Sequence, residues 1–458
     1  MDRASSGFLP PAHRVLRDHL GRPYRVGESP RQLAGRSRTA LLWACRVPVL
    51  VVGTGQYAFG AAVPALTAST GRTAPELLWA LALWTVFQAG AAYPVARRRP
   101  GKDPRAVLVA GALLSGLGLL ALARAEHLAV LLIGYSALGG TGAGLVYAAC
   151  TATAGRWFPE RSAARVASVT GAFAWGSAPF AVALALDGAA SVAALPVLAG
   201  VVAAVVLGCG LLLSDPPPHW WPEHVDPRRW ALAAHPGRFR APPAVRQFSA
   251  VEALRTPVLP VMAGALCCAA TVSLFNAAVL AVLAVRLGHG PAVGALAVAA
   301  FAATGGAGRA LAIPVADRLG GRRALRLVMA AQAFGQVLLL LALPAAGPGP
   351  LLVAALVAGI GGGAFYPLFA ALARECFGDR RSAEVHGLVY SAKAVSGLLG
   401  IGLAVAAAGG SPAAPVVAAA LSGCAALLVS ALHRPGLPRT LPTASAPERA
   451  AGRPPIPT

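Results

Sequence analysis

Charge is scarce in this sequence. Only 12% of its 458 residues are charged and 57% are hydrophobic, whereas about a quarter of the residues of an ordinary soluble domain are charged. Lysine is almost absent, because Lys102 and Lys393 stand alone among the many arginines. This composition excludes an ordinary soluble fold. It indicates a protein that crosses a membrane many times.

The cysteines are also too few and too scattered to indicate a metal site or a disulfide framework. The seven cysteines fall mostly in apolar runs, and the neighbours Cys267 and Cys268 have neither metal-site nor disulfide-framework spacing. No nucleophile, base and orienting acid share a plausible site. We therefore predict that the protein is not an enzyme and uses no cofactor or metal. The first 40 residues are arginine-rich without an apolar core, which predicts no cleavable signal peptide.

Long apolar runs dominate the remaining sequence. A spanning helix needs about 20 mostly apolar residues, and runs of that kind predict twelve spans. They lie near residues 42–66, 75–96, 105–124, 128–150, 164–186, 189–213, 258–284, 293–315, 325–345, 350–373, 386–408 and 414–432.

The basic residues follow the connections between these runs in a regular way. If both termini are cytoplasmic, only Arg72, Arg124 and Arg286 fall in the outside loops, as expected if basic residues remain in cytoplasmic loops. The net charge of +22 therefore reports membrane topology. A nucleic-acid-binding surface is the alternative interpretation of this charge, and the topology makes it the less favoured one.

A polar, proline-rich and basic stretch divides the twelve runs into two groups of six. This division predicts two bundles joined by a cytoplasmic linker. The arm before the first run is basic and is expected to lie near anionic lipid headgroups. The predicted segments are a cytoplasmic N-terminal arm (1–40), an N-terminal six-helix bundle (41–213), the linker (214–257), a C-terminal six-helix bundle (258–432) and a disordered cytoplasmic tail (433–458).

The two groups of spans repeat one another in sequence. The motif GxGxxY occurs at residues 142–147 and again at 361–366, and the tripeptide PVA ends both the second run, at 94–96, and the eighth, at 314–316. Repeats in the same order and direction predict that the halves are parallel structural repeats.

Residues 316–323, ADRLGGRR, resemble the signature that the major facilitator superfamily carries between its eighth and ninth spans. This resemblance implies an all-α membrane protein in which twelve transmembrane helices form two six-helix pseudo-symmetric bundles around a central substrate site. A glycine turn with a carboxylate and arginines would latch helix ends on the cytoplasmic face. The first half has RRRPGK at 97–102 and no aspartate at the matching place, so its latch must be built differently. The predicted latch residues are Asp317, Arg318, Arg322, Arg323, Glu160, Arg161, Asp379 and Arg380.

A narrower resemblance covers most of the chain. The segments YAFG at 57–60, RWFPER at 156–161, the proline and tryptophan residues of 216–222, and HGLVYSAK at 386–393 resemble the oxalate/formate antiporter family. That family includes monocarboxylate carriers, and its oxalate-exchanging members bind substrate carboxylates with an arginine in span 8 and a lysine in span 11. Arg309 and Lys393 stand at the matching positions, so the resemblance implies that they bind substrate.

The residues support this assignment without the family. Arg309 precedes Asp317 by eight residues and Lys393 follows His386 by seven, which places both at a similar depth in the membrane at about 1.5 Å per helical residue. No acidic residue lies deep in a predicted span. Two buried cations without a fixed anion are costly, so a substrate anion is expected to compensate them. Their mutual repulsion would favour a divalent or bidentate anion.

Aromatic residues are predicted to complete the site. Tyr390 lies three residues before Lys393, on the same helix face. The other candidate substrate-binding residues are Tyr57, Tyr147, Trp175 and Tyr366, in spans 1, 4, 5 and 10. Gln56, Gln88 and Asn276 rank below them, because such residues more often join helices to one another.

These features predict a secondary transporter of small carboxylate anions, such as oxalate, formate or related mono- and dicarboxylates, working by alternating access. Exchange of anions is favoured, because an empty carrier with two unpaired cations should resist reorientation. A proton-coupled or facilitated carrier of the lactate or pyruvate type is the alternative. A drug efflux pump or a transporter-like sensor would share the architecture, although a pump for lipophilic cations should contain a buried carboxylate.

The partners follow from this class. We expect a small carboxylate substrate and the lipid bilayer as partners, without nucleic acid, and a monomer. We expect the protein in the cytoplasmic membrane as a multi-pass protein with both termini in the cytoplasm.

Overall fold

A computed structural model describes residues 14–19, 21–96, 103–233, 247–378, 382–433 and 435. The predicted tail beyond residue 435, and the arginine-rich segment 97–102, lie outside the described residues. So do the first part of the N-terminal arm and residues 234–246 of the linker.

Twelve helices in the described part of the chain are long and apolar enough to cross a membrane. Each overlaps one of the twelve predicted runs, so this part of the prediction is confirmed. We number them spans 1 to 12 in chain order: Arg38–Tyr57, Ala74–Val95, Arg105–Leu122, Leu128–Trp157, Pro159–Leu186, Leu195–Leu212, Val258–Arg286, Gly290–Leu319, Gly321–Ala342, Gly349–Phe377, Glu384–Ala408 and Ala413–Ala431.

Two spans of the first half are interrupted. Span 1 ends at Tyr57, and the chain continues after Ala58 as a second helix, Phe59–Thr70. Span 5 consists of a short 3₁₀ turn followed by helices Ser162–Trp175 and Ser177–Leu186, which are separated at Gly176. Spans 1 and 5 cross where Gly53 and Gly176 leave no room for a Cβ atom against the opposite backbone. Small residues at such crossings let membrane helices approach closely.

The two groups of six helices meet along several pairs of spans. Span 2 packs against span 11, and span 5 packs against span 8. The helix Phe59–Thr70 packs against span 7. These contacts close the surface between the halves and bring spans 1, 2, 5, 8, 10 and 11 around the molecular centre.

The N-terminal arm forms a hairpin, which the sequence did not predict. Strand β1 (Arg14–Arg17) pairs antiparallel with strand β2 (Pro23–Val26). Asp18 closes the turn: its carboxylate accepts hydrogen bonds from Arg22 Nε at 2.7 Å and from Tyr24 Oη at 2.9 Å. Arg25 pairs with Glu28 at 2.6 Å. Hydrogen bonds and ion pairs among these polar side chains explain why this arginine-rich segment folds.

The central linker adds to this hairpin. The backbone N–H of Arg25 donates to the His219 carbonyl at 2.8 Å, and that of Trp221 donates to the Arg25 carbonyl at 2.9 Å. The indole of Trp220 donates to the Glu28 carbonyl at 2.9 Å, and its ring lies edge-on to Trp157, 5.0 Å away. We call this unit, residues 14–19 and 21–35 with 219–230, the clasp. It fastens the N-terminal arm to the end of span 4.

Asp215 of the linker pairs with an arginine at the end of span 4. Its carboxylate accepts a hydrogen bond from Thr153 Oγ1 at 2.8 Å and forms an ion pair with Arg156, both near the end of span 4. Burial raises the pKa of Asp215, an effect that Arg156 opposes. The expectation of a differently built latch in the first half stays a prediction, because residues 97–102 lie outside the described residues.

The other end of the linker attaches to the second half. The backbone N–H of Phe248 donates to the Phe377 carbonyl at 2.9 Å, and the two rings lie edge-on, 5.6 Å apart. A short helix, Ala250–Leu254, follows with a capping box between Ser249 and Glu252. The linker is thus anchored to both halves.

The clasp leads to a first prediction, on its central tryptophan. Trp220 is 4% exposed, and a buried Trp→Ala substitution costs about 3–5 kcal/mol. Trp220→Ala should therefore release the hairpin and speed tryptic cleavage after Arg17 and Arg25, which are followed by Asp18 and Val26. Limited proteolysis followed by mass spectrometry measures the rate.

The matched control is Trp43→Ala, because Trp43 is 55% exposed on span 1. It should leave cleavage of the hairpin unchanged. Equal cleavage of the wild type and Trp220→Ala at these arginines would show that Trp220 does not hold the clasp.

Candidate functional site

Arg309 and Lys393 lie near the middle of spans 8 and 11 and are almost fully buried, at 2% and 1% exposure. Arg309 is ten residues from the end of its span and Lys393 is nine residues from the start of its own, which corresponds to about 14–15 Å of helix in each case. Both lie close to the ring of Tyr366, with the guanidinium carbon at 4.7 Å and the ammonium nitrogen at 5.8 Å from its centre. The structure therefore brings the two cations together.

The Lys393 ammonium is hydrogen-bonded mainly to amide oxygens of the opposite half. It donates to Gln88 Oε1 at 2.8 Å and to Gln56 Oε1 at 3.0 Å, and more weakly to Tyr390 Oη at 3.4 Å. Gln56 belongs to span 1 and Gln88 to span 2. Lys393 thus connects span 11 to two spans of the N-terminal bundle.

Arg309 also bonds across the interface between the halves. One terminal nitrogen donates to the backbone carbonyl of Thr170 in span 5 at 3.1 Å, and the other donates to the hydroxyl of Tyr57 in span 1. The guanidinium carbon is 5.4 Å from the centre of the Tyr57 ring. Both partners are uncharged, so these bonds orient the guanidinium without cancelling its charge.

The four predicted tyrosines form the wall of this site. Tyr147 stacks on Tyr390 with 5.8 Å between ring centres, and Tyr366 lies 6.0 Å from Tyr390. Tyr57 lies edge-on to Phe173 at 6.0 Å. Each of the four tyrosines is less than 9% exposed. The wall excludes water and presents ring faces to the cations, which attract them.

Trp175 lies apart from this wall. It is 38% exposed, and its indole donates to the backbone carbonyl of Ala303 at 3.0 Å. Phe173 faces the site instead, 5.5 Å from the Lys393 ammonium, and residues two apart in a helix point about 200° away from one another. The expectation that Trp175 lines the site is not supported by this geometry; Trp175 packs span 5 against span 8.

Buried carboxylates are missing from this site. Among the residues described, Asp18 and Glu28 of the clasp are the buried acidic residues, and the side chains of Asp215 and Glu160, 4% and 9% exposed, pair with arginines at helix ends. Three buried polar groups at the site also have no hydrogen-bond partner in the described part of the chain: Arg309 Nε, Gln56 Nε2 and the Tyr366 hydroxyl. All three can donate a hydrogen bond. The site has surplus positive charge and surplus donors, which is suited to an anion.

Sequence reasoning ranked Gln56 and Gln88 too low. Both are fully buried in the structure and both contact Lys393 directly. The internal repeat places the counterparts of Arg309 and Lys393 around Ala89 and around Phe173 or Ala174. It therefore carried a signal for Gln88, which is next to Ala89, but none for Gln56. Asn276, the third candidate of this type, instead accepts a hydrogen bond from Gln336 at 3.1 Å.

The predicted latch residues lie at the helix ends that bear the linker. Glu160 accepts a hydrogen bond from Arg38 at 2.5 Å, and its backbone carbonyl accepts one from the Trp230 indole at 3.2 Å. Gly320, with φ +88°, makes the turn between spans 8 and 9, as the glycine signature predicts. Asp379 and Arg380 lie outside the described residues. Arg322 is partly buried, and the exposed members of the set are Arg161, Asp317, Arg318 and Arg323.

Close contact between spans 5 and 8 lets Arg309 reach the opposite half. Gly171 follows Thr170, and a Cβ atom placed on it would lie 2.8 Å from the Gly306 carbonyl. Such a distance is too short for an ordinary contact. The absence of a side chain at Gly171 therefore allows the approach that brings Arg309 to the Thr170 carbonyl.

Comparison with known proteins agrees with this architecture. The model of the Major Facilitator Superfamily matches residues 49–262 and again residues 261–457, so it matches once in each half. A curated relative, an uncharacterized 38 kDa protein in a 23S RNA operon of Thermoproteus tenax, is 31% identical over 343 residues. The alignment covers 74% of this chain and 81% of the relative.

A solved structure has the same fold. The crystal structure of a D-xylose-proton symporter superposes with a TM-score of 0.63 at 14% identity, covering 87% of this chain and 98% of the symporter. Identity this low shows the fold alone. The predicted arrangement of twelve helices in two bundles is confirmed.

A second prediction follows from the contact at Gly171. Gly171→Ala should push spans 5 and 8 apart, since overpacking typically costs about 1–3 kcal/mol. The thermal midpoint of the purified protein in detergent should fall.

The matched control is Gly200→Ala in span 6, where a Cβ atom meets nothing within 4 Å. Because alanine is a better helix former than glycine by about 0.5–1 kcal/mol, the control should hold or raise the midpoint. If both variants changed the midpoint alike, spans 5 and 8 would not depend on this contact.

Proposed function

Since the chain belongs to the Major Facilitator Superfamily and is a secondary transporter, we propose that its substrates are small carboxylate anions, such as formate, lactate, pyruvate or oxalate. One observation carries the proposal: Arg309 and Lys393 are buried together at the centre of the bundle, and their described partners are all uncharged. An anion is the ligand that such a site lacks.

The electrostatics of the site favour this ligand. Burying an unpaired charge costs several kcal/mol even after the protein relaxes, and the amide, hydroxyl and carbonyl oxygens here satisfy hydrogen bonds without supplying negative charge. Like charges that share a site also destabilise each other. A bound carboxylate would relieve both penalties.

The hydrogen-bond donors at the site are of the type that binds a carboxylate. Arginine and carboxylate form paired, charge-assisted hydrogen bonds, and Arg309 Nε is free of a partner among the described residues. Substrates of the opposite charge are disfavoured, because a cavity for lipophilic cations would need a buried acid. This observation argues against efflux of cationic drugs as the function.

Exchange is the transport mode that we propose. The carrier must pass through a closed state on every reorientation, and closing the empty site leaves two uncompensated charges in a dry environment. A bound anion lowers that charge, so the loaded carrier should reorient faster than the empty one. For the whole protein we propose a monomer in the cytoplasmic membrane with both termini in the cytoplasm.

The third prediction tests the substrate class. Purified protein in proteoliposomes should take up labelled formate, lactate, pyruvate or oxalate, and Arg309→Gln should reduce uptake at least about 100-fold because it removes charged hydrogen bonds worth about 1.5–3 kcal/mol each. Initial uptake rates over a range of substrate concentrations provide the measurement.

Arg46→Gln is the matched control. Arg46 also lies in a span but is partly exposed and donates to Ser168 at 2.8 Å, away from the site. It should retain uptake within about 3-fold, as expected for a position outside the main destabilising mechanisms. Carboxylate uptake by Arg309→Gln at the wild-type rate would refute the proposal.

The fourth prediction concerns the mode. Vesicles preloaded with an unlabelled substrate should accumulate the labelled one several times faster than empty vesicles, because loaded carriers return more readily. Equal rates with and without internal substrate would exclude exchange. Equal rates would favour a proton-coupled or a facilitated carrier, and uptake under an imposed pH gradient would distinguish these two modes.

A further inference from the structure

We infer that the two cations of the site have different tasks. Arg309 holds the carboxylate of the substrate, whereas Lys393 joins the two halves of the carrier, so that the site accepts one carboxylate group and the substrates are monocarboxylates. This inference rests on the proposed function for the identity of the ligand. The task of Lys393 can be tested without a ligand.

The hydrogen bonds of Lys393 are already complete in the closed structure. An ammonium has three N–H donors, and Gln56, Gln88 and Tyr390 offer three acceptors at 3.0, 2.8 and 3.4 Å. The two shorter bonds go to spans 1 and 2, and Lys393 lies on span 11. The strongest contacts of the ammonium therefore cross from one half to the other.

The hydrogen bonds of Arg309 are incomplete. A guanidinium has five N–H donors, and those with described partners point to Thr170 and Tyr57. Arg309 Nε is buried without a partner in the described chain, and so is the hydroxyl of Tyr366, whose ring centre is 4.7 Å from the guanidinium carbon. Two of the three unmet donors thus lie near Arg309, and the third, Gln56 Nε2, belongs to a partner of Lys393.

A single carboxylate fits this difference. Its two oxygens can accept from the guanidinium and from Tyr366, while Lys393 keeps its bonds to the glutamines. A dicarboxylate that contacted both cations would have to displace one acceptor of Lys393, either an amide oxygen of Gln56 or Gln88 or the more distant Tyr390 hydroxyl, and the displaced buried group would lose its bond to the ammonium, which is unfavourable. The repulsion between the cations, which alone would favour a divalent anion, is therefore offset by the cost of opening these bonds.

The walls of the site also suit a monocarboxylate. Phe173 lies beside Tyr57 and Tyr147, with ring centres 6.0 and 5.3 Å away, and Phe301 lies 6.3 Å from Tyr57. These ring faces can surround a short apolar group attached to the carboxylate. They offer a second carboxylate no donor of their own except the tyrosine hydroxyls.

The connection through Lys393 has a consequence for transport. Access to the site requires the halves to separate, so the bonds from Lys393 to Gln56 and Gln88 must break when the carrier opens and form again when it closes. Removing them should change the rate of opening and closing more than the affinity for the anion. Removing Arg309 should do the reverse.

The experiment compares Arg309→Gln, Lys393→Met and Gln88→Met with the wild type. Dissociation constants for formate, lactate, pyruvate and oxalate are measured by thermal shift of the purified proteins, and turnover is measured in proteoliposomes. Arg309→Gln should raise every dissociation constant by about 100-fold or more, since it removes charge-assisted bonds to the ligand. Lys393→Met should raise those for the monocarboxylates at least about 10-fold less than Arg309→Gln does, since it removes a nearby charge but no hydrogen bond to the ligand.

Turnover and substrate preference complete the comparison. Lys393→Met and Gln88→Met should each change turnover by about 10-fold, as expected when the balance between open and closed states shifts. The wild type should bind oxalate no more tightly than lactate or pyruvate. Loss of monocarboxylate binding in Lys393→Met as severe as in Arg309→Gln would overturn the inference, and so would a strong wild-type preference for oxalate.

Hydrogen–deuterium exchange of the ligand-free proteins separates this inference from the proposed function. Lys393→Met and Gln88→Met should both speed exchange at the facing parts of spans 2 and 11, and the double variant should be no faster than Lys393→Met, because both substitutions break the same bond. If the wild type bound no carboxylate, the proposed function would fail. The exchange result would then still test the role of Lys393, and additive effects or no effect would overturn that role. If Lys393→Met does not fold, the absence of an effect in Gln88→Met alone would overturn it.

Discussion

The need to bury two positive charges without a protein carboxylate governs the centre of this molecule. Arg309 and Lys393 are each less than 3% exposed, and such charges are tolerated only where oxygens surround them. The C-terminal half, which carries the cations, does not provide most of those oxygens. Gln56, Gln88 and the Thr170 carbonyl come from the N-terminal half. In the closed state the charges therefore depend on the opposite half for most of their hydrogen bonds.

This dependence explains why the two repeats have diverged at the site. Equivalent positions in parallel repeats face each other across the pseudo-symmetry axis, so two identical cation sites would have placed positive charge against positive charge. The N-terminal half instead has Gln88 and Phe173 near the positions that match Arg309 and Lys393. An amide oxygen and a ring face both attract a cation. The asymmetry of charge is what allows the two bundles to close on each other.

The sequence predicted the spans and the cations well, because both depend on local composition. A run of about 20 apolar residues has few alternatives to a membrane helix, and a charge within such a run is conspicuous. The orientation of Trp175 could not be read from composition, because it depends on the rotation of span 5 at its break near Gly176. The clasp was missed for another reason: strands Arg14–Arg17 and Pro23–Val26 are short, arginine-rich and held by linker residues about 200 positions away, and long-range pairings of this kind leave little local signal.

The linker places a constraint on how the halves can move. One end is fixed to the N-terminal half through Asp215 and Trp220, and the other is fixed to the C-terminal half through the bonds of Phe248 with Phe377. Rocking of the bundles can leave both anchors in place, because each anchor lies within one half. Each half can then move as a rigid unit with its own part of the linker, and the contacts that change on opening are those between the bundles. The bonds of Arg309 and Lys393 are among them, so anion recognition at Arg309 and closure through Lys393 depend on the same interface.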